Sequence, residues 1–225
     1  VICAFTGMLV ERVAYRRLLV HNAARISLLI TAMGVSIFLQ NAFMLIFGTD
    51  PKSMPPLFQA EPFKLGSFEL ASTTVINIVV SVIMMIGLNL LVNKTKIGKA
   101  MIATSEDSSA AKLMGINTNR VISFTFAIGS ALAAVAALLY CNTYPQIKPS
   151  MGNLLGLKAF VAAVFGGIGS IPGAMLGGYL LGVIESLTKA YVSTTLTDAV
   201  VFGILIIILL VKPAGILGKN RKEKV

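Results

Sequence analysis

The sequence contains few charged residues. Lys, Arg, Asp and Glu make up 12% of its 225 residues, hydrophobic residues make up 56%, and the mean hydropathy is +0.86. Residues 26–48, 70–92 and 121–147 carry no charge at all. A helix needs about 20 apolar residues to cross the hydrocarbon core of a bilayer, and the core helices of soluble proteins rarely stay uncharged for so long. The composition therefore predicts an all-α fold, a polytopic bundle of membrane-spanning helices.

The sequence also lacks the residue combinations that enzymes use. It has one histidine, His21, and no nucleophile, base and acid at catalytic spacing. It has no GxxxxGK(S/T) phosphate-binding motif, no dinucleotide-binding motif and no cluster of metal ligands. Cys3 and Cys141 lie in apolar runs, and one pair cannot form a disulfide framework, so we interpret both as packing residues. We expect no catalytic residue, no metal and no cofactor in this chain.

The formal net charge of +10 is unevenly distributed along the chain. Of the 19 basic residues, 14 are Arg12, Arg16, Arg17, Arg25, Lys94, Lys96, Lys99, Lys112, Arg120, Lys212, Lys219, Arg221, Lys222 and Lys224. The intervening segments 49–69 and 142–157 have few basic residues. Cytoplasmic loops of membrane proteins carry the excess of Lys and Arg, so we predict that residues 11–25, residues 93–120 and the C-terminus are cytoplasmic. Topology accounts for the basic balance, and we expect the lipid bilayer, not nucleic acid, as the partner.

The C-terminal part must contain an odd number of crossings if the segment 142–157 is outside and the C-terminus is inside. The uncharged run 159–184 is interrupted by Gly166, Gly167, Gly169, Pro172 and Gly173. A single broken crossing in place of two would leave the C-terminus outside, against its charges. We therefore predict three short crossings, at roughly residues 150–168, 171–190 and 194–211.

Residues 98–115 form a polar stretch between two apolar runs, and their pattern predicts a short helix over residues 105–114. Thr104 is expected as the N-cap. Asp107 follows three residues later, as in a capping box, and Gly115 supplies the C-terminal stop. A helix of about 15 Å is too short and too polar to cross a bilayer, so we expect it at the membrane surface.

Two interpretations of this helix stay open. Ala110, Leu113 and Met114 fall at helical spacing, so the helix offers one small apolar face. That face either contacts a soluble motor, to which a transporter passes force, or belongs to an interfacial helix that caps its own bundle.

Residues 166–182 are unusually rich in glycine. The pairs at GxxxG spacing, which lets helix backbones approach closely in lipid, are Gly169/Gly173, Gly173/Gly177 and Gly178/Gly182. Two interpretations stay open here as well: close helix packing, or an interrupted element that lines a translocation path. The residues concerned are Gly166, Gly167, Gly173 and Gly177.

Polar side chains inside apolar runs are candidates for function, because polar groups are costly in lipid. The amide candidates, which either hold helices together or contact a substrate, are Gln40, Asn41, Asn77 and Asn89. Glu185 and Lys189 are four residues apart, the favourable order for a helical ion pair. Their place near the outer end of a helix predicts an interfacial pair and not a proton relay, and we expect no carboxylate in the spans before Glu185.

Several blocks along nearly the whole chain resemble one family. They are GKAMIATSEDSSAAKLMGIN, KAFVAAVFGGIGSIPGAMLGGYLLGVIES and VKPAGILG, with ERVAYRRL and SIFLQN earlier in the chain. In these blocks the chain is similar to the permeases of branched-chain amino-acid ABC importers. We expect residues 1–225 to be one transmembrane permease domain. Its first helices are expected to be missing, since the chain opens without Met in an apolar run, residues 1–10, half as long as a span.

The resemblance implies partners and a location. The family's permease pairs with a second, related permease, two ATPase subunits bind from the cytoplasm, and an extracytoplasmic substrate-binding protein delivers the amino acid. The implied location is the bacterial plasma membrane, which the chain crosses several times, with ATP hydrolysed by the partner subunits. The helix 105–114 is similar to the family's coupling helix, which docks in a groove of the ATPase. The residues implied in that contact are Glu106, Ala110, Ala111 and Gly115.

Alternatives stay open for both the substrate and the functional class of the protein. Sibling systems with similar permeases take up urea or short amides, and the binding protein sets much of the selectivity. A self-contained secondary carrier or channel predicts an energising carboxylate in a span and no coupling helix. A structural membrane scaffold predicts no dependence on nucleotide.

Overall fold

The structure is a computed structural model that describes residues 1–20, 25–55, 63–65, 68–70, 72–167, 169–212 and 215–218. Helices account for most of these residues, which confirms the predicted all-α class. The helices are α1 (Ile2–Val10), a π-helical turn (Glu11–Tyr15), α2 (Arg16–Val20), α3 (Arg25–Phe47), α4 (Ser72–Lys94), α5 (Lys96–Glu106), α6 (Ser108–Leu113), α7 (Thr118–Thr143), α8 (Met151–Gly166), α9 (Ile171–Tyr191) and α10 (Thr197–Val211). The short strands are β1 (Lys52–Ser53), β2 (Phe63–Leu65), β3 (Phe68–Leu70) and β4 (Gln146–Ile147).

Among the described residues, four helices are long and apolar enough to cross a membrane. They are Ile26–Phe47, Ser72–Lys94, Thr118–Thr143 and Ile171–Tyr191. The first three coincide with the uncharged runs of the sequence, so these predicted spans are confirmed as helices. The 16 residues of α8 and the 15 of α10 reach only about 22–24 Å at about 1.5 Å per residue, less than the roughly 30 Å of the hydrocarbon core. The chain is a multi-pass membrane protein.

The chain divides into two compact units, Val1–Ser150 and Met151–Val225. In the first unit, α1 packs along α7. Gly7 lies so close to Ser130 that a Cβ at residue 7 would overlap that side chain. Further along, Glu11 meets Ser123, so the two helices run in opposite directions. The expectation of one permease domain over residues 1–225 stays a prediction.

The interpretation of residues 11–25 as a loop was wrong for residues 11–20, which continue α1 through the π-helical turn into α2. The segment contains neither Gly nor Pro, so nothing in it interrupts a helix. Residues 21–24, which include His21, lie outside the described residues. The cytoplasmic position of this basic segment stays a prediction.

Two predicted outer loops meet at one end of the first unit. β1, which follows α3, pairs antiparallel with β4, which follows α7, with Lys52 opposite Ile147 and Ser53 opposite Gln146. At the same end, near the start of α4, the Asn77 amide donates a 3.0 Å hydrogen bond to the Thr143 hydroxyl. The structure thus brings together two segments that the charge pattern assigns to one side of the membrane. β2 and β3 form a separate antiparallel pair.

The second unit consists of α8, α9 and α10 around a small buried core. The core residues are Val161, Phe165, Leu181 and Val201. The three helices begin and end close to the three crossings predicted from parity. Their passage through the bilayer stays a prediction.

Candidate functional site

The polar segment between α4 and α7 folds as two helices rather than one. α6 begins at Ser108, because the Asp107 carboxylate accepts hydrogen bonds from the backbone N–H groups of Ser109 (2.8 Å) and Ala110 (3.0 Å). The prediction of Thr104 as the N-cap was therefore wrong. The Thr104 hydroxyl donates to the Ala100 carbonyl inside α5 instead.

The predicted C-terminal stop at Gly115 is confirmed. Gly115 has a φ of +81°, a left-handed conformation that glycine adopts without the penalty of a side chain. The Gly115 N–H donates to the Lys112 carbonyl and the Ile116 N–H to the Ala111 carbonyl, both at 3.0 Å. This pair of hydrogen bonds is the Schellman motif, which ends a helix sharply by satisfying its last carbonyls.

α5 was not predicted. Its N-cap is Thr95, whose hydroxyl accepts from the Gly98 N–H at 3.0 Å. Gly98 is buried so tightly against the last turn of α4 that a Cβ would overlap the Leu91 and Val92 carbonyl oxygens. Thr95, a residue type that favours helix N-caps, was the signal in the sequence. Glu106, one of the implied contact residues, is the exposed last residue of α5 and not part of α6.

The residues of α6 divide into an inner and an outer face. Ala111 is only 4% exposed and packs inside its own unit. Ala110 is exposed, and Leu113 and Met114 are 88% and 83% exposed. The apolar face expected from Ala110, Leu113 and Met114 is thus present at the surface. Ala111, assigned to the partner contact by resemblance, instead belongs to the internal packing.

Three of the singled-out glycines form the contact between α8 and α9. A Cβ at Gly166 would overlap the Gly173 carbonyl, one at Gly173 would lie 2.5 Å from the Gly166 oxygen, and one at Gly177 would overlap the Ala162 carbonyl. Gly182 has nothing within 4 Å of its Cβ position. These three glycines, one at the end of α8 and two on one side of α9, allow the two helix backbones to touch.

The turn between these helices depends on two further glycines. Gly167 and Gly169 have φ values of +109° and +92°, which residues with a side chain rarely adopt. The Ser170 hydroxyl then accepts from the Gly173 N–H and caps α9. Pro172 lies in the first turn of α9, where its missing N–H costs nothing.

The end of α8 is capped by a segment more than 45 residues away in the sequence. The N–H groups of Ile216 and Leu217 donate to the Phe165 and Gly166 carbonyls at 2.9 and 3.0 Å. Gly215, with a φ of +77°, would meet Gly167 at 2.5 Å if it carried a Cβ. The blocks KAFVAAVFGGIGSIPGAMLGGYLLGVIES and VKPAGILG, on which the family resemblance rests, are thus in contact at one end of the second unit.

The predicted ion pair of Glu185 and Lys189 is present, with 2.8 Å between Lys189 Nζ and Glu185 Oε1. It belongs to a larger cluster that the sequence did not indicate. Lys158 Nζ on α8 lies 2.9 Å from both Glu185 Oε1 and Asp198 Oδ1. The Lys158 side chain is 20% exposed and that of Glu185 23%, so this cluster ties α8, α9 and α10 together in a half-buried position.

The amide candidates do not converge on one site. Asn77 holds α4 to α7 through Thr143, the packing alternative for intramembrane amides. Asn41 is exposed and bonds to the Ile37 carbonyl of its own helix, while Gln40 is half-buried on α3. Their contact with a substrate stays a prediction.

Glu11 is a carboxylate that the sequence analysis missed. It is 1% exposed and accepts a hydrogen bond from the Ser123 hydroxyl at 2.5 Å. It lines a cavity together with Arg12, Arg16 and Arg120. An acidic residue directly after an apolar run, with Arg12 next to it, was the available signal. Among the described residues, no group of three His, Cys, Asp or Glu is placed to hold a metal ion.

Comparison with known proteins gives a consistent result. The family model described as the permease component of branched-chain amino acid transport systems matches residues 1–210. The chain is 46% identical to the high-affinity branched-chain amino acid transport system permease LivH of Salmonella typhimurium, covering 100% of this chain and 74% of the relative. LivH of Escherichia coli is 45% identical with the same coverage. BraD of Pseudomonas aeruginosa, from a system of the same description, is 45% identical over 97% of this chain and 72% of its own length. No solved structure matches the chain.

Proposed function

The chain belongs to the family of branched-chain amino acid transport system permeases, and on this premise we propose that it forms the translocation path of an ATP-driven ABC importer for branched-chain amino acids. As a family member it is a transport subunit. We propose that it acts in a bacterial plasma membrane with a second, related permease, two cytoplasmic ATPase subunits that hydrolyse ATP, and an extracytoplasmic substrate-binding protein. The C-terminus is then cytoplasmic.

The exposed apolar end of α6 is the observation that carries the coupling to an ATPase. Leu113 and Met114 are more than four-fifths exposed, although burial of a side chain of this size is worth about 1.5–3 kcal/mol. They lie on a short helix between the span-length helices α4 and α7. Fixed caps at Asp107 and Gly115 hold the helix in one conformation, so it would lose little conformational entropy on docking.

The contact surface that we propose differs from the one implied by resemblance alone. It consists of Leu113 and Met114 at the centre, with Ala110 and Glu106 beside them. Gly115 sets the direction in which the chain leaves the helix. Ala111 holds α6 against its own unit, so motion of α6 is passed to the helices that flank it.

For the translocation path we propose that the glycine contact between α8 and α9 is the packed wall and not the substrate site. The backbones of Gly166, Gly173 and Gly177 contact one another and the Ala162 backbone, so they leave no room for a substrate. Gly167 supplies a positive φ to the turn between α8 and α9.

The test of the coupling assignment is a pair of charge substitutions at the exposed end of α6. Leu113→Glu and Met114→Glu would place a charge in a dry contact, which costs several kcal/mol. We expect ATP-dependent uptake of labelled leucine to fall more than tenfold, and the ATPase subunits to be lost on co-purification. Membrane insertion, measured by fractionation, should be normal because both residues lie outside the spans.

Ile97→Glu is the matched control, since Ile97 is a half-exposed apolar residue at the far end of α5. Its effect on uptake should be less than twofold. Normal uptake by both α6 variants would remove the coupling assignment. Uptake that persists without any ATPase would favour a secondary carrier or channel, and uptake of urea but not leucine would assign the chain to the urea and short-amide alternative.

A further inference from the structure

A cavity of about 550 Å³ opens at the start of α7, against the π-helical turn that follows α1. Three of its lining residues are arginines: Arg12 from the π-helical turn, Arg16 from the start of α2, and Arg120 from the first turn of α7. More than 100 positions separate the first two from the third in the sequence, so the packing of α1 on α7 assembles the group. We call this space the arginine cavity.

The charge of the arginine cavity is positive. Glu11 is the one carboxylate that lines it. This carboxylate is buried and accepts a hydrogen bond from the Ser123 hydroxyl. Among the described residues, no carboxylate forms an ion pair with Arg12, Arg16 or Arg120. Three guanidinium groups at one cavity repel each other, and a bound anion removes that repulsion.

The backbone adds to this preference for an anion. α7 is 26 residues long and begins at the cavity, with Asn117 as its N-cap and Asn119 in its first turn. The amino-terminal end of a helix carries a partial positive charge and free N–H groups. The guanidinium group of arginine forms bidentate hydrogen bonds with two oxygen atoms of a phosphate. The group that this cavity would recognise is a phosphate monoanion or diester.

The cavity also has an apolar side. Met8 on α1 and Phe124 on α7 line it and are 38% and 40% exposed, and both helices contain uncharged apolar runs beside the cavity. Its volume far exceeds that of a small ion, since a water molecule occupies about 30 Å³ in the liquid. A free phosphate would contact only the arginines and would leave the apolar side of the cavity exposed. A lipid would contact the arginines with its phosphate and the apolar side with its acyl chain.

We propose that the arginine cavity binds the headgroup of an anionic phospholipid, with the phosphate on Arg12, Arg16 and Arg120 and the start of an acyl chain along Met8 and Phe124. The charge pattern predicts this end of the helices to be cytoplasmic. The cytoplasmic leaflet carries the anionic lipids, and basic pockets between membrane helices on that side bind such headgroups. A lipid at this position holds the π-helical turn and α2 to the start of α7, close in sequence to α6.

The test measures lipid binding to the purified permease together with its partner subunits, by native mass spectrometry during titration with phosphatidylglycerol or phosphatidylcholine. We expect phosphatidylglycerol to bind at least tenfold more tightly. Arg16→Gln should weaken it about fivefold, and Arg16→Gln with Arg120→Gln about 25-fold. The matched control, Lys94→Gln with Lys96→Gln, removes the same charge from an exposed position and should change the affinity less than twofold.

Folding is checked by Arg16→Lys with Arg120→Lys, which keeps the charge and should retain most of the affinity for phosphatidylglycerol. Equal loss in the control pair, or no loss in the Gln pair, would overturn the site. Displacement of the lipid by inorganic phosphate would make free phosphate the ligand and overturn the lipid assignment. Absence of lipid from the assembled complex, with an acidic segment of a partner cross-linked to Arg120, would also overturn it.

Discussion

Lys158 joins three helices through two ion pairs of 2.9 Å, one to Glu185 and one to Asp198. An exposed ion pair contributes little to stability because water screens it and the side chains lose entropy. The Lys158 side chain is only 20% exposed, and its removal takes away the cation that Asp198 pairs with and one of the two cations that Glu185 pairs with. The sequence indicated the pair of Glu185 with Lys189 because helical spacing is local. It could not indicate Lys158, which lies 27 positions from Glu185.

Lys158→Met should therefore destabilise the protein by about 1–3 kcal/mol. Lys189→Met is the control, since the Lys189 side chain is 45% exposed and its removal should cost less than about 1 kcal/mol. The measurement is the temperature at which the purified protein loses its monodisperse form in detergent. Equal effects of the two substitutions would mean that the cluster does not hold the helices together.

At the scale of elements, the contact between α8 and α9 shows which part of a glycine pattern is used. By spacing alone, the three GxxxG pairs are equivalent. In the structure Gly173 and Gly177 face the α8 backbone, whereas Gly182 faces open space. Gly169 lies in the turn before α9, and the glycines within α9 differ in whether their side of the helix packs on α8, which spacing does not determine.

Gly177→Ala should destabilise the α8–α9 contact by about 1–3 kcal/mol, because even one methyl group overlaps the Ala162 carbonyl. Gly182→Ala, the same change on the open face, should be neutral or stabilising by up to about 1 kcal/mol through helix propensity. Thermal unfolding of the purified variants distinguishes the two. The contact would be misplaced if Gly182→Ala were the more damaging substitution.

The polar segment before α7 illustrates how local signals fix one helix end and not the other. Gly115 was predicted correctly because a left-handed C-terminal stop needs only that glycine and the hydrogen bonds of its own helix. The N-terminus was misplaced because both Thr104 and Asp107 are good caps. The choice between them depends on α5, which packs Gly98 on α4 and thereby keeps Thr104 inside a helix.

At the scale of the whole molecule, the charge pattern makes a prediction about membrane sides. Ser53→Cys and Ser150→Cys should react with an impermeant thiol reagent in intact cells, while Lys96→Cys and Ser108→Cys should react only after permeabilisation. All four positions are exposed in the structure, so a lack of labelling would report the side of the membrane and not burial. The reason is the excess of Lys and Arg in the loops assigned to the cytoplasm.

The labelling requires a background without Cys3, which is exposed, and Cys141, which is buried. Lys222→Cys, beyond the described residues, tests the odd number of crossings in the second unit and should be shielded. Its labelling from outside would overturn the three-crossing prediction. Labelling of Lys96→Cys in intact cells would invert the whole topology.

The sequence by itself determined the helical membrane class, the first three spans, the sharp end of α6 and the family. These depend on local composition and on residues near each other in the chain, since transfer of a segment from water to lipid depends mainly on its own side chains.

The tertiary structure alone decided that Ala111 is internal and Leu113 exposed, that Lys158 joins three helices, and that Arg12 and Arg16 line one cavity with Arg120. It also decided that Ile216 and Leu217 cap α8. Each of these depends on segments that lie apart in the sequence and come together only when the chain is packed. Periodicity shows that a helix has two faces, but which face is buried depends on the neighbour that covers it.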